Sequence, residues 1–241
     1  MSSENASGIP RIIHQIWIQG AAALPARYRE LTATWTLRHP GWTHRLWDES
    51  SLRAVLNGTA WWRVYEKQPE LTARADVARY ALLQRFGGVY ADVDVECRRP
   101  VDSLLGDARL CVTNYTHPRP AATRFADATN SFLASVPAHP LWDDVLARLE
   151  DEAHANCFVT ERTGPAMLAG ILETHADDVH LVRFPHAFTT SLVPALTMRA
   201  FSRVVAANCI LDFNDSGRAT ARRIARRVWR RATLRPASSS A

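Results

Sequence analysis

The sequence predicts an α/β domain: a largely parallel, Rossmann-like central sheet with flanking helices. Three observations point there. Short apolar, β-branched runs alternate with stretches of helical spacing, the rhythm of strand–helix–strand units. The 241 residues are 47% hydrophobic and 22% charged, enough to bury one sizeable core. A Gly-Gly pair, Gly87-Gly88, separates a long helical stripe from an alternating apolar run.

The elements follow in order. Residues 1–8 read as a loose, polar leader without the basic-then-apolar layout of a secretory signal. Ile9–Ile18 is nearly continuous apolar chain and reads as a buried strand. Pro25 stands where a helix can begin. Tyr28, Leu31, Trp35 and Leu37 follow at roughly helical spacing, and His39-Pro40-Gly41 stops it. Trp42–Trp47 is a second strand, and Asp48–Leu56 a turn with a short helix. Leu71, Ala75, Ala78, Leu82 and Phe86 form one stripe of a helix over Leu71–Phe86. Val89–Val95 then alternates strictly, so a single strand is expected to send Tyr90, Asp92 and Asp94 to one side. Leu141–Leu149 and Pro165–Leu172 read as helices, and Cys209–Phe213 as a late strand.

Charge is unevenly placed. The net charge is +5, yet eight arginines and no acid lie in 217–241; without them the remainder carries −3. A nucleic-acid-binding body, which needs a basic face, is excluded on that ground. No run of about 18 apolar residues exists, so no spanning helix is expected. The four cysteines, Cys97, Cys111, Cys157 and Cys209, show no paired spacing and suit free thiols in a reducing cytoplasm. In Ala221–Ala232, Ile224, Val228 and Trp229 share an arc with alanines while six arginines fill the other. That separation suits an interfacial helix on an anionic membrane, or a stripe packed on the body with solvated arginines.

The chemistry concentrates at Asp92 and Asp94. On one strand their Cα atoms lie roughly 6.5 Å apart. Two such carboxylates repel unless a cation lies between them, and hard oxygen ligands suit Mg²⁺ or Mn²⁺. A bare Asp-x-Asp also fits two solvated acids at a strand end; the buried run before it favours the site reading. Asp76 and Arg79 share a helix face. Spacing alone leaves two readings for them: an intrahelical ion pair, or a clamp that accepts from sugar hydroxyls and donates to phosphate or sugar oxygens. A phosphatase of the Asp-nucleophile type is excluded. It needs Thr or Val two residues after the second Asp and a downstream Lys, whereas Glu96 stands there and Lys67 lies upstream.

The run Ala75-Asp76-Val77-Ala78-Arg79-Tyr80, continued by Gly87-Gly88-Val89-Tyr90-Ala91-Asp92-Val93-Asp94, resembles glycosyltransferase family 32. That family includes initiating α-mannosyltransferases and capsule transferases and is related to the clostridial glucosylating toxin core. Ile9–Trp17 is similar to its opening strand. Asn130-Ser131-Phe132, His139-Pro140 and Thr163-Gly164-Pro165 are similar to its later signatures, and the likeness covers about residues 9–195.

The resemblance implies a GT-A type nucleotide-sugar-binding fold, expected over 9–217; beyond it, 218–241 reads from its own arginine pattern as a basic amphipathic tail. The resemblance also implies a nucleotide-sugar donor, a glycan or lipid-linked acceptor, a divalent cation (Mn²⁺ or Mg²⁺) and retention of anomeric configuration. Trp17 would lie against the base, Asp76 and Arg79 would hold the donor sugar, and Tyr90 would line the same pocket. Asp92 would contact ribose or sugar and reach the metal; Asp94 would bind the metal directly. These two are the catalytic pair. Asn130 is either near the reacting face or a turn residue. The family's closing His-rich, Ser-Trp segment is absent here; Asp212 or Asn214 is the substitute ligand, and Ser216 the phosphate contact. A hexosyltransferase at the cytoplasmic face, peripheral to the membrane, is the expected function. The alternative is a non-catalytic peripheral or adaptor protein on a degenerate transferase fold.

Overall fold

The computed structural model describes residues 8–114, 123–182, 188–190 and 206–208. The first strand, β1 (Ile12–Ile16), leads to helix α1 (Ala26–Arg38) and strand β2 (Thr43–Trp47). Helices α2 (Glu49–Leu56), α3 (Ala60–Lys67) and α4 (Leu71–Phe86) follow, then β3 (Gly88–Ala91) and β4 (Val95–Cys97). Next come α5 (Asp102–Leu105), β5 (Leu110–Asn114), β6 (Ala128–Ser135), α6 (Leu141–Glu150), α7 (Val159–Arg162) and α8 (Pro165–Thr174). Three short strands complete the described chain: β7 (Val179–Val182), β8 (Phe188–Thr190) and β9 (Ala206–Asn208). The expected late strand over Cys209–Phe213, the ligand candidate Asp212 and the basic tail lie outside the described residues.

The main sheet has the order β2-β1-β3-β6-β5-β7. β1 pairs parallel with β2 and β3, and β5 parallel with β7. Only β6 runs against the rest, antiparallel to both β3 and β5. A smaller sheet holds β4, β9 and β8.

Side chains alternate between two cores because each strand sends successive residues to opposite faces. Tyr90, Leu133, Leu110 and Val112 enter one core with α2, α3, α4, α6 and α8. Val89, Ala91, Phe132, Ala134 and Cys111 enter the other, against Trp35 of α1 and Leu105 of α5. The sheet is therefore covered on both faces at its middle, where β3, β5 and β6 are buried at every residue.

Local signals set the elements. Asp48 caps α2 by accepting from the Ser51 amide at 2.9 Å, and the Ser51 hydroxyl accepts in turn from the Asp48 amide. Thr59 caps α3, a helix that spacing did not anticipate; its eight residues carry Trp61, Trp62, Val64 and Tyr65 into the core. Gly87 and Gly88 end α4 at φ +61° and +92°. A Cβ on Gly87 would meet the Pro137 nitrogen at 2.7 Å, and one on Gly88 the Ile12 carbonyl oxygen at 2.6 Å.

Two expectations need correction. Leu37 and Leu71, placed on apolar stripes, are largely exposed. More important, Val89–Val95 is not one strand. β3 stops at Ala91, and a turn closes with the Val95 amide donating to the Asp92 carbonyl at 3.0 Å. The chain then enters β4 in the other sheet. A strand-like alternation of valine and aspartate conceals this turn, because Asp is itself a favoured turn residue.

Candidate donor-binding site

The turn after β3 and the face of α4 converge on a cavity of about 410 Å³. Its lining includes Trp17, Tyr28, Asp76, Arg79, Tyr90, Asp92, Asp94 and Asn130. Every expected site residue within the described chain thus reaches one place. Asp92 and Asp94 share it through a turn and not through strand alternation.

Arg79 is the hub. Its Nη2 lies 3.1 Å from Asp76 Oδ1 and its Nη1 lies 3.2 Å from Asp92 Oδ1. Nη1 also donates to the Asn130 carbonyl at 2.7 Å, and the guanidinium sits 4.6 Å above the Tyr90 ring. Asp76 and Arg79 are both buried, so the pair is no solvated surface bridge. Breaking such a pair by removing one partner costs about 3–5 kcal/mol. The Tyr90 hydroxyl donates to Asp92 Oδ1 at 2.6 Å. Gln15 reaches from β1 to the Asp92 carbonyl at 3.3 Å, and Trp35 donates to the Val95 carbonyl at 2.8 Å. These bonds hold the acidic turn from both sides.

Sequence reasoning missed the supports of Asp76. Asn130, on β6, donates to Asp76 Oδ1 at 2.8 Å and to the Tyr80 hydroxyl at 3.0 Å. Thr163 donates to Asp76 Oδ2 at 2.9 Å. Both residues stand in signatures that the sequence displays, yet spacing along a chain cannot reveal a contact across more than 50 residues.

Charge is unbalanced. Among the described lining residues Arg79 is the one cation, and three carboxylates face it. Burial, then repulsion from Asp92, raises the Asp94 pKa to about 7. Burial raises Asp76 to about 6 even though Arg79 pulls it down. Burial works against the charge of Arg79 too, but Asp92, Tyr90 and Asp76 outweigh it, and the guanidinium stays charged. Asp94 Oδ1 is buried with no hydrogen-bond partner. A buried acceptor left bare is costly. An oxygen-seeking divalent cation fits that atom and the local excess of negative charge. No cluster of three or more ligating side chains exists among the described residues. Asp76, Asp92 and Asp94 are the carboxylates lining the cavity.

A larger cavity, about 580 Å³, lies between α3 and α6. Its Arg63 and Lys67 pair with Glu150 and Glu152. Size alone would favour it, but Arg63 and Lys67 are exposed and already paired with carboxylates.

Residues 25–111, which contain the helix, the glycine pair and the acidic turn, match the family model described as "Glycosyltransferase sugar-binding region containing DXD motif". The chain is 31% identical over 159 residues to the uncharacterized glycosyltransferase L373 of Acanthamoeba polyphaga mimivirus, covering 65% of this chain and 61% of that protein. It is 30% identical over 151 residues to inositol phosphoceramide mannosyltransferase 1 of Schizosaccharomyces pombe, covering 61% and 44%. The chain thus spans about half the length of the curated relatives it matches. Among solved structures it resembles the PaToxG glycosyltransferase, with a TM-score of 0.55, 16% identity and coverage of 72% and 74%. It also resembles the UDP-bound glycosyltransferase domain of the YGT toxin, at 0.52, 11%, 72% and 79%. At these identities the shared property is the fold, of the GT-A type.

Proposed function

We propose that this protein is a metal-dependent, retaining hexosyltransferase that moves a sugar from a nucleotide-sugar donor to a glycan or lipid-linked acceptor. The observation that carries the reading is the buried Asp76–Arg79 pair, joined to the half-buried Asp92 and beside the bare Oδ1 of Asp94, all opening on one cavity. The mannosyltransferase names of several relatives support a hexose and a glycolipid acceptor. The UDP-bound toxin domain of the same fold supports a nucleotide diphosphate.

Each side chain has a derivable task. Trp17, packed edge-on to Tyr28 at 5.9 Å, offers an aromatic face to the base. Asp76 accepts from sugar hydroxyls, and Arg79 donates to sugar or phosphate oxygens. Tyr90 keeps Asp92 oriented. Asp92 and Asp94 hold Mn²⁺ or Mg²⁺, which when bound stabilises negative charge on the diphosphate leaving group. No protein nucleophile is assigned, in keeping with same-face transfer. Asp212 remains the proposed third ligand.

No described helix is long and apolar enough to cross a membrane. The basic arc of Ala221–Ala232 supports peripheral attachment to an anionic, cytoplasmic-side surface.

Nucleotide release from GDP-mannose and UDP-glucose tests the function. With Mn²⁺ one donor should be consumed. EDTA should abolish release, and Asp94→Asn should lose it while circular dichroism stays unchanged. Equal release in excess EDTA overturns the metal assignment. No release from either donor leaves the non-catalytic adaptor as the better reading.

A further inference from the structure

The Thr163-Gly164-Pro165 motif lies at the junction of α7 and α8, and the roles assigned above leave it unused. Its geometry is specific. Thr163 is fully buried. Its hydroxyl donates to Asp76 Oδ2 at 2.9 Å, with the Val159 carbonyl the poorer acceptor at 3.3 Å. Its carbonyl accepts from the Tyr80 hydroxyl at 3.0 Å. The Tyr80 oxygen accepts from Asn130, whose amide also donates to Asp76 Oδ1. Asp76, Asn130, Tyr80 and Thr163 therefore close a ring of four hydrogen bonds drawn from α4, β6 and the α7–α8 junction.

The rest of the motif explains how Thr163 is held there. A Cβ on Gly164 would meet the Thr160 Cα at 2.8 Å, so only glycine lets the chain turn this close to α7. Pro165 opens α8, where its missing N–H leaves no helical bond unmade. Arg162, one residue earlier, pairs with Glu70 at the start of α4, fastening the junction to the helix it serves.

Resting on the sugar-transfer reading, we propose that Thr163 is a positioning residue that fixes the Asp76 carboxylate for the donor sugar, with Gly164 and Pro165 as the backbone that delivers it. Arg79 and Asn130 both engage Asp76 Oδ1, whereas Thr163 engages Oδ2. Without the Thr163 hydroxyl Oδ2 loses its donor, and the carboxylate is held through Oδ1 alone and can pivot about that atom.

Two variants separate the roles. Thr163→Val keeps the shape and removes the hydroxyl; Thr163→Ser keeps the hydroxyl and removes a methyl. Each is crystallised without ligand and assayed with GDP-mannose and UDP-glucose in Mn²⁺. Thr163→Val should show a rotated or disordered Asp76 carboxylate. Its kcat/KM for the accepted donor should fall about tenfold to a hundredfold, mostly through KM, since a hydrogen bond to a charged group is lost. Thr163→Ser should keep the carboxylate in place and remain within about threefold of wild type. A merely structural threonine would lower the melting temperature in both variants and leave the donor KM of folded protein unchanged, which overturns the proposal. If wild type consumes neither donor, the sugar-transfer reading fails, and the position of Asp76 in the Thr163→Val crystal still decides whether Thr163 fixes it.

Discussion

The Tyr90 hydroxyl lies 2.6 Å from Asp92 Oδ1, so the strand residue two positions earlier grips the first acid of the turn. Arg79 reaches the same oxygen at 3.2 Å. Asp92 is thus oriented by its neighbours, whereas the Asp94 Oδ1 atom is bare. The two acids of one short motif are not equivalent.

Tyr90→Phe tests this division. The ring still fills its buried position, but Asp92 loses the hydroxyl that orients its Oδ1. The Mn²⁺ concentration for half-maximal nucleotide release should rise about tenfold or more, with little change in fold. An unchanged Mn²⁺ requirement would mean that Tyr90 is only a wall of the pocket.

Arg79→Lys keeps the charge but cannot span Asp76, Asp92 and the Asn130 carbonyl with one planar fork. Donor turnover should fall on the order of a hundredfold, and the melting temperature should drop because buried carboxylates lose partners. Asp76→Asn should impair turnover similarly. Wild-type donor kinetics in both variants would reduce the pair to a structural bridge.

His14 provides a pH signature. It is fully buried, donates through Nε2 to the Gly87 carbonyl at 2.9 Å and accepts from Trp47 Nε1 at 3.0 Å. Burial lowers its pKa to about 4, against 6.5 for an exposed imidazole. The native chain therefore keeps it neutral while the unfolded chain protonates it below pH 6.5. Its contribution is complete above that value and is lost as pH falls toward 4. From pH 7 to pH 5 the loss amounts to about 2 kcal/mol. Urea unfolding at both pH values should show a steeper pH dependence for wild type than for His14→Gln; equal dependences would mean that His14 does not titrate this way.

The basic tail predicts salt-sensitive membrane attachment. Full-length protein should sediment with vesicles containing phosphatidylserine at low salt and release as salt rises, because each Arg near an anionic surface contributes about 1 kcal/mol. Neutral vesicles should not retain it, and neither vesicle should retain protein lacking 218–241. Binding by the truncated protein would assign attachment elsewhere.

The first half of the molecule was legible because its signals are local. Ile12–Ile16, Ala26–Arg38 and Leu71–Phe86 all fall within the spans that apolar periodicity, Pro25 and Gly87 marked out. The short helix α3 escaped because its tryptophans cluster without a longer repeat. The acidic turn escaped because Val93 and Val95 continue the strand pattern through it. For the site, the spacing of Asp76 and Arg79 showed that they share a helix face, but not that both are buried. The attachments of Asn130 and Thr163 to Asp76 depend on sheet order and helix packing. No local pattern encodes those.

The reversed strand β6 also bears on how the molecule assembles. It lies between β3 and β5 and covers the edge of β3 that β1 does not. Asp76, Arg79, Asp92 and Asp94 leave the ribosome well before residues 128–135, and until then β3, which leads into the acidic turn, has an unpaired edge and the charges lack Asn130. A nascent chain ending near residue 111 would hold the whole matched region without the strand that completes it. Closing so long a loop is slow and rewards nothing until it is done. The site should therefore form late and all at once, and amide exchange in β3 should become protected in the same kinetic phase as β6.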